Sequence, residues 1–418
     1  MTMTSATDTD TRRTPRRRAI AVTAAALTAI VAVLLTPLPR GFQGDVTGDE
    51  ALMEATAAAL GSGHWQHVAV AKVDGDTVTT AGTGADATTE FEIGSLTKTF
   101  TAALFADAID RGEVTEGTRL GEIWPQLDGK AAEVTLSSLA MQRSGLPRVE
   151  PAPSVGDAVA SVLASYLHRD PYRGSVDDLI RTLGDTDVSD TTPEYSNFGF
   201  AVLGQSLAKV SGMSYRELVK QRITQPLGMS RTYVPASATG LSHGYTASGL
   251  PAAPWTLGAS APAGAIRSTA DDMAIWLRAT MEGTAPGAVA ALPRADFDEA
   301  DRIGFAWMTT TGRTPAITWH NGGTGGYSSF LGFTADAGTG IVVLADSAIS
   351  VDGAIDLIST ASGSAAPQPT GTAPAGSPSA GSPSTESAEV GAASARSVPG
   401  TVFPPTAPRS ARIEGDRS

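Results

Sequence analysis

The sequence predicts an α+β fold: one antiparallel sheet flanked by terminal helices, with a helical lobe beside it. Two observations carry this. Strand patterns gather at the two ends of the folded unit, as a hairpin over residues 67 to 82 and as four runs between 303 and 346. Between them the patterns are mostly helical, and such segregation of strands and helices is the mark of an α+β chain.

The elements follow in order. DEALMEATAAAL (49 to 60) puts Leu52, Met53, Ala59 and Leu60 on one face, interrupted by Thr56, which reads as an amphipathic helix. HVAVAKV (67 to 73), the turn Asp74-Gly75-Asp76 and TVTTAG (77 to 82) form a hairpin. A helix from Ser95 to Asp110 stops at Gly112, the usual C-terminal punctuation. A short helix opens at Thr135, and Ser214 with Glu217 forms a capping box for a helix through Ile223. Thr269 and Asp272 open another helix, ending at Met281 before Gly283. The late strands are IGFAWMTT (303 to 310), AITWH (316 to 320), SSFLGFT (328 to 334) and GIVVLAD (340 to 346), with a helix at 352 to 360.

The folded unit spans 46 to 362, and the segments outside it differ in kind. Residues 1 to 45 hold Arg12, Arg13, Arg16, Arg17 and Arg18 ahead of the apolar run AIAVTAAALTAIVAVLL (19 to 35), closed by Thr36-Pro37. A positive flank, an apolar stretch and then breakers is the layout of an export signal or membrane anchor. The expectation is therefore an extracytoplasmic protein, secreted or anchored, with this segment as its membrane partner. Residues 363 to 418 are rich in Ala, Pro, Ser, Gly and Thr. They bury too little apolar surface to offset ordering entropy and read as a disordered tail.

Composition excludes several functions. A net charge of −13 argues against a nucleic-acid partner. The absence of cysteine removes disulfides, thiolate chemistry and Cys-ligated metal centres.

Three short stretches remain that can carry chemistry. In FEIGSLTKTF (91 to 100), Ser95 stands at a helix start and Lys98 one turn along the same face, in a chain with only five lysines. The apolar neighbours Phe91, Ile93, Leu96 and Phe100 supply a pocket that would lower the lysine pKa toward a useful base. The plain alternative is an N-cap serine with a solvated lysine. In TTPEYSNFGFAVLG (191 to 204), a loop delivers Tyr195, Ser196 and Asn197 to a helix whose inner face carries Phe200, Leu203, Leu207 and Val210. Tyr195 can share a proton with a lysine amine, and Asn197 can hold a carbonyl. Alternatively, Tyr195 is a half-buried ring and Asn197 a helix cap. In WHNGGTGGYSSF (319 to 330), His320 ends a strand and glycines let the main chain approach a ligand. A phosphate loop would need a different motif, and no second ligand supports a metal at His320. A Gly-rich hairpin turn is the ordinary reading.

Taken in order, Ser-x-x-Lys, Tyr-Ser-Asn and His-x-Gly resemble the motifs of the serine β-lactamase-like, penicillin-binding family. That family includes class C β-lactamases, D-alanyl-D-alanine carboxypeptidases and esterases. SGLPR (144 to 148) and PAGAIRSTADDMAIWL (262 to 277) also look like its connecting segments. The resemblance covers about 50 to 360 and implies a β-lactamase/transpeptidase-like fold. It implies that Ser95 forms an acyl-enzyme, that Lys98 and Tyr195 move the proton, and that Asn197 orients the substrate. His320 and Gly322 would line the opposite wall, and the main-chain N–H groups of Ser95 and Gly323 would form an oxyanion hole. No cofactor and no metal are implied. His320 stands where many relatives carry lysine, which makes the site look more like the peptidase and esterase members. A D-alanyl peptide or a small ester is the expected substrate, and a non-catalytic penicillin sensor or wall-binding protein the alternative. Gln142 occupies a position where relatives often have histidine.

Overall fold

Long runs of β-branched and aromatic residues near both ends of the folded unit meet in one sheet. The computed structural model describes residues 41–359, apart from scattered positions between 153 and 173 and residues 190–191 and 335–337. The strands of the sheet are β1 (Val46–Gly48), β2 (Val68–Asp74), β3 (Thr77–Thr83), β6 (Ala295–Asp296), β7 (Asp301–Ile303), β8 (Met308–Thr310), β9 (Ile317–Gly323), β10 (Ser328–Thr334) and β11 (Thr339–Ala345). Their order is β6-β7-β8-β9-β10-β11-β2-β3-β1, all antiparallel. The strand from the C-terminal set, β11, thus pairs with the N-terminal hairpin along Ala345↔Val68 to Thr339↔Asp74. A separate two-strand pair, β4 (Phe91–Glu92) with β5 (Arg267–Ser268), lies just ahead of Ser95.

The main helices are α1 (Glu50–Leu60), α2 (Thr97–Asp110), α3 (Leu136–Ala140), α4 (Asn197–Ser211), α5 (Ala270–Met281) and α6 (Ile355–Ser359). Strand alternation sorts the sheet residues into two cores. Val68, Val70, Phe330, Ile341 and Val343 face Leu52 and Met53 of α1 and Leu357 and Ile358 of α6. Ala69, Ala71, Leu331, Val342 and Leu344 join the cluster of the helical lobe, with Phe100, Phe200, Met273, Trp276 and Leu277. Both faces of the central strands are therefore covered, which is why β10 and β11 are buried throughout. The fold is the expected mixed α+β arrangement.

Several local expectations change. The run 303 to 310 is not one strand: β7 and β8 are separated by residues 304 to 307, with Ala306 at φ +68° and its N–H bonded to the Ala140 carbonyl. Phe305 and Trp307 leave the sheet to fill the core, at 0% and 1% exposure. The helix capped by Ser214 and Glu217 runs only over Tyr215–Val219, and Lys220–Thr224 is a π-helical turn. Asp74 belongs to its strand, so Gly75 and Asp76 alone make the hairpin loop. Val210 is exposed and lies off the inner face of α4. Thr56 stays in the buried face of α1 by donating its hydroxyl to the Leu52 carbonyl. The N-terminal run 19 to 35, the segment after 359 and much of 153 to 173 lie outside the described residues. Among the described residues no helix is long and apolar enough to cross a membrane.

Candidate active site

Ser95 sits in a single 3-10 turn, Gly94–Leu96, that feeds directly into α2. Its side chain caps neither element, so the N-cap alternative does not hold. The turn is pinned from behind: the Ile93 N–H bonds to the Ile266 carbonyl at 3.0 Å, and the Ser329 hydroxyl donates to the Ile93 carbonyl at 2.8 Å. Gly94 takes φ +49°, and a side chain there would press on the Gly323 nitrogen at 2.7 Å. Gly322 answers from the other side, where an added Cβ would lie 3.0 Å from the Ser95 nitrogen. The end of β9 and the serine turn therefore touch main chain to main chain. That contact requires glycine at 94 and 322.

Lys98 is fully buried, at 0% exposure, and is not the solvated lysine of the plain alternative. Its Nζ lies 3.0 Å from Ser95 Oγ and donates to the Ala263 carbonyl at 2.6 Å. Burial holds its pKa well below the ordinary lysine value, and the nearby charge of Arg148 lowers it further. In its neutral form this amine, with one N–H on Ala263, keeps a lone pair that can take the serine proton, the arrangement a general base needs. Phe91, Ile93, Leu96 and Phe100 are all within 1% of complete burial and supply the apolar walls.

Tyr195 joins this pair. Lys98 Nζ stands 4.8 Å from the Tyr195 ring centroid and 5.7 Å from that of Phe200. Arg148 Cζ lies 5.0 Å from the Tyr195 ring and His320 at 6.3 Å between ring centroids. Asn197 is the first residue of α4, half-buried, with its N–H bonded to the Arg148 carbonyl at 2.8 Å. The cap of α4 is Ser196, whose hydroxyl accepts from the Gly199 N–H at 2.9 Å, so Asn197 is not the cap.

His320 is 3% exposed, and burial is the main cause that pushes its pKa down to about 3, against the opposing hydrogen bond of the Asn321 carbonyl. Its ring is therefore neutral at pH 7. Nδ1 lies 2.6 Å from the Asn321 carbonyl, which can only accept, so Nδ1 carries the proton and Nε2 the lone pair. The side chain thus presents an acceptor to the site rather than a cation.

Four contributors went unnamed in the sequence reading although each lies in a stretch it singled out. Ala263 and Arg267 fall within 262 to 277, Arg148 ends SGLPR, and Glu92 precedes Ser95 by three. Gln142 also supports the site. It is buried at φ +58°, and its Oε1 accepts the Ser196 N–H at 2.7 Å while its carbonyl accepts from Glu194. It thereby fixes the loop that carries Tyr195. No group of three or more His, Cys, Asp or Glu with metal-site geometry occurs among the described residues.

A half-buried serine against a buried lysine, an adjoining tyrosine and a glycine-rich strand end on an α+β scaffold fit the class of serine hydrolases. The model of the Beta-lactamase family matches residues 51–364, and the chain belongs to that family. A Beta-lactamase of Escherichia coli (strain K12) is 27% identical over 305 residues, covering 62% of this chain and 75% of that protein. The D-alanyl-D-alanine-carboxypeptidase/endopeptidase AmpH of the same organism is 27% identical over 304 residues, covering 65% and 76%. Unguisins hydrolase ungD' of Aspergillus campestris is 26% identical over 344 residues, covering 72% and 62%. The fold also matches the crystal structure of a class C beta lactamase from Rhodobacter sphaeroides, with a TM-score of 0.61, 22% identity, and 74% and 97% of the two chains covered.

Proposed function

We propose that the protein hydrolyses an amide or ester through an acyl-enzyme on Ser95. The observation that carries this is Lys98, buried, with its pKa held well below the ordinary lysine value, and 3.0 Å from Ser95 Oγ. In the first half-reaction Oγ attacks the substrate carbonyl carbon and its proton passes to Lys98. The carbonyl oxygen gains the negative charge between the N–H groups of Ser95 and Gly323. Collapse of this intermediate breaks the bond to the leaving amine or alcohol, which takes the proton by way of Lys98 and Tyr195. Water then repeats the sequence on the ester, releasing the acid and restoring Ser95. Asn197 orients the substrate, and His320 with Gly322 lines the opposite wall.

A D-alanyl peptide is the first substrate and a small ester the second. The neutral His320 supports both over an efficient β-lactamase, because it offers no cation for the carboxylate that a lysine would hold. The arginine-flanked apolar run at 19 to 35 supports action outside the cytoplasmic membrane, where such peptides occur. The test is labelling of the folded unit with a fluorophosphonate or fluorescent penicillin, together with turnover of p-nitrophenyl esters and D-Ala-D-Ala peptides. Ser95→Ala is expected to abolish both labelling and turnover. Labelling without turnover on any of these substrates would make the protein a sensor instead, and labelling that survives in Ser95→Ala would end the proposal.

A further inference from the structure

Glu92 is the one acidic side chain of β4, three residues ahead of the nucleophile, and it is 3% exposed. Its Oε1 accepts from Arg267 Nη1 at 3.0 Å and from the Trp255 main-chain N–H at 2.8 Å. Its Oε2 is fully buried and has no hydrogen-bond partner among the described residues. A carboxylate in that condition is costly unless it does something its neighbours need.

Those neighbours converge on the turn that follows Gly323. Thr324 Oγ1 accepts from the Tyr327 and Gly326 N–H groups at 3.2 and 3.4 Å, and the Thr324 N–H bonds to the Tyr327 carbonyl at 2.9 Å. Arg267 reaches the same turn. Its Nη2 donates to Ser242 Oγ at 2.7 Å and lies 3.4 Å from the Tyr327 hydroxyl, while its Nε is 2.6 Å from Glu90 Oε1. Trp255, held by Glu92 through its main chain, packs its indole over Gly325, where an added Cβ would lie 3.2 Å from Nε1. Asp170 fixes the other end of that segment by accepting from the Thr256 and Leu257 N–H groups at 2.9 and 3.0 Å. The carboxyl of Glu92 thus ties together the segment before Ser95, the strand pair with Arg267 and the two sides of the turn.

We infer that Glu92 is a positioning residue, whose ionised carboxyl holds the turn after Gly323 so that the Gly323 N–H faces the oxyanion formed on Ser95. This rests on the acyl-enzyme reading above. The charged and titratable groups around Glu92 are Arg267 on β5, Tyr327 in the turn and Asp170 beside the Trp255 segment. Burial raises the Glu92 pKa to about 7 despite the opposing charge of Arg267. Above that pH the pair with Arg267 is charge-assisted, and below it the carboxyl is neutral and its grip loosens.

The experiment reads the oxyanion hole directly. The full-length protein is acylated with a p-nitrophenyl ester bearing carbon-13 at its carbonyl, and the carbonyl stretch of the acyl-enzyme is followed from about pH 5.5 to 8.5. Stronger hydrogen bonding lowers this frequency. The wild type is expected to show a lower frequency above pH 7 and a higher one below it. Glu92→Gln is expected to hold the higher frequency at every pH and to acylate up to about 100-fold more slowly, the scale of a 1 Å misplacement. Glu92→Asp, which keeps a titrating carboxyl, is expected to retain a transition and serves if the glutamine variant does not fold. A flat wild-type profile, or a transition that persists unchanged in Glu92→Gln and so belongs to Lys98, would overturn the assignment. Failure of the wild type to form any acyl-enzyme would instead overturn the reading on which it rests.

Discussion

Lys98 and Arg267 are both basic side chains at 0% exposure, and their surroundings differ in one respect. Arg267 has carboxylates in contact, Glu92 at 3.0 Å and Glu90 at 2.6 Å. Lys98 has none among the described residues; its neighbours are a carbonyl, a hydroxyl, two aromatic rings and the like charge of Arg148. Burial penalises both charges. The guanidinium stays ionised because its pKa starts so high and its partners are negative. The amine, with no counter-charge, is driven toward its neutral form. On the proposed mechanism one buried basic group is a fastener and the other a base, and the difference lies in the acidic residues placed around them.

The largest expected consequence of breaking this contrast falls on the fastener. Arg267→Met leaves Glu92 buried without its cation, a change that costs about 3–5 kcal/mol in comparable buried pairs. Glu92 already has a raised pKa, and removing Arg267 raises it further. A carboxyl whose folded pKa lies above its unfolded value takes up protons on folding, so its contribution to stability falls as pH rises between the two values. The deficit of the variant should therefore widen above pH 7 and narrow toward pH 5. Urea unfolding at both ends of that range measures it. An equal deficit at both would mean that Glu92 and Arg267 are not energetically linked.

Next in size is the loss of the base. Lys98→Ala and Tyr195→Phe are each expected to slow acylation by about 100-fold or more, the usual weight of general acid–base groups. Lys98→Ala should cost little stability, because it removes a group whose charged form was already disfavoured. Wild-type acylation rates in both variants would remove the roles assigned to them.

How far the sequence foretold this contrast depends on scale. The sheet, its terminal helices and the lobe were legible because strand alternation and helix caps are local signals: Thr135, Ser214 and Thr269 each cap the helix expected of them. The split of 303 to 310 was not legible, since Phe305 and Trp307 look like strand residues until the core they fill is known. At the site, Ser95, Lys98 and Tyr195 could be singled out only from the order of three motifs and the family they resemble, each motif being ambiguous alone, and the structure brings them together. Arg148 and Glu92 could not, though both lay in quoted motifs. A charged residue in a short motif looks the same whether it faces water or a buried partner 175 residues away, as Glu92 does with Arg267. Gln142 shows the same limit. Its replacement of histidine acquires meaning only when its Oε1 is found on the Ser196 N–H.

The smallest expected effect sharpens the comparison most, because it alters the surroundings of the base and leaves the base in place. Arg148 lowers the Lys98 pKa, in second place after burial. On the proposed mechanism acylation needs neutral Lys98, so its rate falls as pH drops through that pKa. Arg148→Leu removes the like charge, raises the lysine pKa and moves the acidic limb of the acylation profile to higher pH. Because burial is the larger cause and remains, the limb should move only part of the way toward that of an ordinary lysine. Above the limb the rate should match the wild type. Arg148 also lies against the Tyr195 ring, and its main-chain carbonyl accepts from Asn197. A variant that instead lowered the plateau without moving the midpoint would show that Arg148 serves by placing Tyr195, and that burial alone discharges Lys98.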